Sequence, residues 1–133
     1  MLRLQKSPVA LLLMMIILGS YSFAQAEDLS GAWTKKGQRI AGSWSIEARE
    51  DGHYLVLDEE FRTRKAPDLK FVLSKQPLAD ANNRNAMVDA LVIAPLKSNR
   101  GGQSYKLPDN YGDYASLLLH CEQYSKLWGG TTI

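Results

Sequence analysis

From residue 43 onward, apolar and polar positions alternate with a period of two in short runs, the pattern of strands that rest one face on a core. In Ser43–Arg49, Trp44, Ile46 and Ala48 point one way and Ser43, Ser45, Glu47 and Arg49 the other. Asp51-Gly52 follows, a dipeptide that readily takes the positive φ of a tight hairpin turn, and Tyr54–Leu57 reads as the returning strand. Leu69, Phe71 and Leu73 mark another alternating run after Pro67. Leu91-Val92-Ile93 marks a more fully buried one ending at Pro95. Gly101-Gly102 reads as a turn into Ser104–Leu107, halted by Pro108, and the last clear strand is Ser116–Cys121. Between Pro77 and Met87 the Asn- and Asp-rich stretch LADANNRNA reads as a loop with at most one turn of helix. No helix is expected. About seven or more short strands separated by turn signals predict an all-β fold, an antiparallel sandwich or barrel-like domain.

The first residues change the picture of where this domain works. Arg3 and Lys6 precede the uninterrupted apolar run Val9–Leu18, Gly19-Ser20 breaks that run, and Ala24-Gln25-Ala26 offers a small-x-small cleavage site. Ten apolar residues are too few for a bilayer-crossing helix, so residues 1–26 are expected to be a cleaved signal peptide. Residues 27–133 would then form one domain, periplasmic or secreted, with no membrane attachment after cleavage. The only cysteine is Cys121, so no lipid-modified cysteine can begin the mature chain.

Loss of Arg3 and Lys6 leaves 14 bases against 14 acids, so the mature chain is neutral overall. That balance argues against a nucleic-acid partner or an anionic membrane. A lone cysteine makes no internal bridge, so stability must come from packing.

Cys121 is in phase with Leu117 and Leu119, while Leu118, His120 and Glu122 are expected to project from the opposite face. A buried, inert thiol is one reading of that position. The other takes the strand to end at Cys121, before Glu122-Gln123 and the aromatics Tyr124 and Trp128, which leaves the sulfur reachable. His53, His120, Cys121 and Met87 match a blue-copper ligand set by count alone. The adjacent His120 and Cys121 cannot face one metal from a regular strand, and no histidine follows the cysteine. His53, beside the turn, reads as a solvated hairpin residue. The cluster Asp58-Glu59-Glu60 reads as a solvated strand end rather than a site for a hard cation. There is no Gly-x-Ser-x-Gly elbow, no Cys-His pair at a recognised spacing and no phosphate-cradling loop.

Taken in order, the stretch from Gly42 to Trp128 resembles the DM-thirteen domain, a module that stands alone in exported bacterial proteins and beside DOMON domains in animal ones. The matching features are Leu55–Asp58 with Phe61, Ala66-Pro67-Asp68-Leu69-Lys70 into Phe71-Val72-Leu73, Leu96 through Tyr105–Pro108, and Leu119-His120-Cys121 with Tyr124 and Trp128-Gly129. Ala66 departs from the glycine common before the Pro-Asp pair. The resemblance implies a β-sandwich-like domain whose cysteine serves redox chemistry, as a bare thiol or a metal ligand; Cys121 matches that cysteine. Asp68, Glu122, Tyr124 and Trp128 would then shape its surroundings, and the metal, if there is one, is not identified. One cysteine completes no dithiol cycle, so the resemblance implies a redox partner: a bound metal, a haem-bearing protein or another chain's thiol. The rival expectation is a non-catalytic module binding protein or glycan, with Cys121 as core.

Overall fold

The computed structural model describes residues 29–133, and the expected signal peptide lies outside them. Eleven strands follow in order: β1 Ser30–Ala32, β2 Thr34–Lys35, β3 Ile40–Ala41, β4 Ser43–Arg49, β5 Gly52–Leu57, β6 Arg62–Thr63, β7 Leu69–Ser74, β8 Leu91–Pro95, β9 Gln103–Lys106, β10 Ser116–Cys121 and β11 Lys126–Thr132. A single 3-10 turn, Tyr111–Asp113, leads into β10.

All pairings between these strands are antiparallel. One sheet runs β1-β4-β5-β9, a second runs β2-β11-β10-β7-β8, and β3 and β6 form a separate two-stranded ribbon. The two large sheets remain open and distinct, so the expected antiparallel sandwich is the architecture and a closed barrel is not. Alternation dictates what lies between them. Trp44 and Ile46 of β4, Leu55 and Leu57 of β5 and Tyr105 of β9 meet Leu69, Phe71 and Leu73 of β7 and Leu117, Leu119 and Cys121 of β10 in one buried cluster. Phe71 is fully enclosed, its ring stacked on Trp33 at 5.6 Å and edge-on to Tyr105 at 5.1 Å.

Leu118 and His120 do project from the face opposite Cys121, and that face of the second sheet is covered as well. Val72, Leu118 and Leu127 pack under Ala81 and Ala86, with Leu78 and Met87 at the margin. The stretch that reads as a loop therefore folds back as a lid. Asn85 Nδ2 donates to the Asp80 carbonyl at 2.9 Å, and Asn83 Oδ1 accepts the Leu127 amide at 2.7 Å, so its asparagines replace regular structure with side-chain bonds.

The strand after Cys121 is absent from the alternation pattern. β11 returns antiparallel to β10, with a register shift that pairs Leu119 with Gly129 and His120 with Leu127, leaving Trp128 as the extra residue of a bulge. The Trp128 carbonyl accepts the amides of Lys36, Gly37 and Gln38 at 3.2, 2.9 and 3.0 Å. Its indole Nε1 donates to Thr63 Oγ1 at 2.9 Å, tying the β3–β6 ribbon to the core. Leu91-Val92-Ile93 is also corrected: β8 is the outermost strand of its sheet, and Leu91 and Val92 are exposed. An apolar run records hydrophobicity, not position in the sheet.

Candidate functional site

Cys121 closes the central strand of the five-stranded sheet, opposite Leu69 of β7 and Lys126 of β11. Its exposure is 0%, so the reachable thiol expected from a strand end is corrected: the chain turns at once into β11, and the neighbouring strands flank the sulfur. The strand does end there, and the four residues that follow are exposed. Glu122–Ser125 form the tip, held by the Ser125 amide on the Glu122 carbonyl at 3.1 Å and by a positive φ of 48° at Ser125. The enclosed sulfur therefore sits on the last hairpin rung, directly beside an open turn.

On the neighbouring strand a charged rim frames that rung. The Glu122 amide donates to the Asp68 carbonyl at 3.1 Å. Lys70 Nζ pairs with the carboxylates of both Asp68 and Glu122. The bond to Glu122, with Asp68 adding its field, holds the Lys70 ammonium above its usual range against the opposing pull of desolvation. Asp68 and Glu122 are thus brought together through Lys70, which the sequence reading did not single out and which pairs across the strands with His120, on the face opposite the Cys121 sulfur. Trp128 lies in the same core cluster as Cys121, whereas Tyr124 stands exposed on the tip and contributes nothing to that cluster.

His120 occupies the other face of the same strand end, 2% exposed, with neither Nδ1 nor Nε2 hydrogen-bonded. Burial pushes its imidazole below the ordinary histidine value, and the carboxylates of Glu122 and Asp68 oppose that only in part. The four residues counted as a copper set do not converge. Cys121 faces the inter-sheet core, and Met87 lies at the margin of the lid on the opposite face. His53 lies on the other sheet against Tyr111, ring centres 5.2 Å apart, half-buried rather than solvated. Among the described residues no group of three or more His, Cys, Asp or Glu side chains is arranged to hold a metal ion. The acidic run is structural at two of its positions: Asp58 Oδ2 accepts the Ser43 amide at 3.0 Å and Glu59 Oε2 accepts the Gly102 amide at 3.4 Å.

Fold and site together define a class, the small open β-sandwich with one thiol enclosed at the end of its central strand. The chain belongs to the Electron transfer DM13 family, whose pattern it matches over residues 33–133. That match begins nine residues ahead of the segment carrying the resemblance and ends five beyond it, so it takes in Trp33 and all of β11. Comparison with curated proteins and with solved structures finds no match.

Proposed function

We propose that this chain is an extracytoplasmic electron-transfer accessory protein, freed by cleavage after Ala26, in which Cys121 is the reacting sulfur and is reached by opening of the β10–β11 hairpin end. Membership of an electron-transfer family supports the redox role. The observation that carries the reading is the position of Cys121 on the last rung of β10, next to an exposed four-residue tip. Fraying of a terminal rung is the cheapest opening available to a sandwich, because it breaks few bonds and leaves the sheets in place.

On opening, the thiol gives its proton to solvent, and the thiolate attacks one sulfur of a partner's disulfide. The S–S electron pair leaves with the departing thiolate, and a mixed disulfide joins the two chains. A second, dithiol-bearing partner then attacks the Cys121 sulfur with one thiol, which releases the first partner as a dithiol. Its other thiol displaces Cys121, so two electrons pass from dithiol to disulfide through a sulfur whose own chain has no other cysteine. Enclosure between encounters protects the sulfur from unspecific oxidation. The test is acid quenching of cells followed by alkylation and non-reducing electrophoresis. A higher-mass adduct lost in Cys121→Ser supports the proposal, and a thiol that is always free and reduced contradicts it.

A second reading draws on the zero exposure and the apolar neighbours Leu117 and Leu119: a binding module in which Cys121 is a small core hydrophobe. It forbids labelling of the thiol short of global unfolding.

A further inference from the structure

The charge balance of the mature chain conceals a local concentration. A cleft of about 610 Å³ beside the β3–β6 ribbon is lined by Arg39, Arg62, Arg64, Lys65 and Arg100, together with neutral residues and no carboxylate. Such a volume lies within the range of roughly 300–1,000 Å³ typical of small-ligand sites. Among the described residues, ion pairs involve Arg49, Lys70 and Lys106, and none of the five cleft cations. Glu59 and Glu60 stand at one end, in a neighbouring depression with Arg62 and Arg100, without closing an ion pair to either.

Backbone pairing forces this crowding. Arg62 and Arg100 form a direct antiparallel bridge. Ile40 pairs with Thr63 and Ala41 with Arg62, so Arg39 and Arg64 fall on the next rung of the ribbon. Like charges placed opposite one another destabilise a sheet, and among the described residues no ion pair neutralises them. The frame is nonetheless rigid: the Thr63 amide donates to the Asn99 carbonyl at 2.9 Å, Asn99 Nδ2 returns a bond to the Thr63 carbonyl at 3.2 Å, and the Gly101 amide donates to Phe61 at 2.9 Å. Thr63 Oγ1 donates to the Arg39 carbonyl at 3.0 Å while accepting from Trp128. A fixed backbone that holds unpaired guanidinium groups around a concavity is a conflict of the kind found at functional sites.

We infer that this cleft binds a small multivalent oxyanion, bearing two or more phosphate or carboxylate groups, which the guanidinium forks hold through paired charge-assisted hydrogen bonds. The site is independent of Cys121 and of the electron-transfer reading. Phosphate and carboxylate share this chemistry, and two probes separate them: tripolyphosphate and citrate, each titrated calorimetrically into the processed protein at low ionic strength. The expected result is saturable binding of at least one probe near one equivalent, weakened as salt is raised. Arg62→Gln/Arg64→Gln should weaken it about tenfold or more, as lost charge-assisted contacts require, whereas Arg49→Gln, away from the cleft, changes it less than about twofold. The tighter probe identifies the oxyanion type. Absence of saturable binding for both probes overturns the inference, as does binding that the Arg62/Arg64 variant leaves unchanged.

Discussion

Cys121 and His120 are chain neighbours in opposite environments, and their chemistry separates accordingly. The Cys121 sulfur sits in the cluster that contains Leu117 and Leu119, so Cys121→Ala removes contacts and should cost about 1 kcal/mol or somewhat more in chemical denaturation. Cys121→Ser should cost more, because it strands a hydroxyl there. Both variants should still fold and lose the mixed-disulfide adduct; an adduct that persists in either would assign the reaction to something other than this sulfur. His120 is enclosed with both ring nitrogens unpaired, and burial holds it below the ordinary value of 6.5. The unfolded chain therefore binds a proton in a pH window just below 6.5 where the folded chain does not. Stability falls as pH drops through that window and is regained as pH rises. His120→Leu should flatten the melting temperature between about pH 7 and pH 5 relative to the native protein, and an unchanged slope would show that His120 is not the group responsible.

At the scale of elements, the sheets' long strands were legible because each carries its own alternation: β4, β5, β7, β9 and β10 follow from residue order alone. β1, β2, β3 and β6 have two or three residues each, too few for a period to show. β11 was hidden for another reason. Its bulge puts Leu127 and Trp128 side by side on opposite faces, and Gly129-Gly130 supply no side chains to alternate. Those glycines mark close approach: a Cβ on Gly129 would lie 2.5 Å from the Thr34 carbonyl oxygen and 2.8 Å from Ile40. Gly129→Ala should therefore cost about 1–3 kcal/mol, the range for overpacking, and a variant as stable as the parent would mean that β2 can move aside. Phe71→Ala should cost about 3–5 kcal/mol, since the ring is fully enclosed and contacts both Trp33 and Tyr105.

For the whole molecule, the site proved less legible than the sandwich, because a site depends on which segments meet. Phase placed Cys121 with Leu117 and Leu119, but enclosure comes from β7 and β11, one of which no pattern announced. The lid over Leu118 and Leu127 is built from asparagine side-chain bonds that leave no periodic trace. Overall neutrality hid the basic cleft, whose arginines come from three separate segments; the run Arg62-Thr63-Arg64-Lys65 was its only local sign. The central claim is that the native molecule opens at the β10–β11 end and presents its sulfur without unfolding. The direct measurement is the rate of Cys121 labelling by a small thiol reagent in increasing, sub-denaturing concentrations of urea. Opening at one hairpin end exposes little surface, so the account predicts native-state labelling that is slow but nearly independent of urea at low concentrations. A rate that rises from the first addition with the full urea dependence of global unfolding would contradict it and leave Cys121 a core residue.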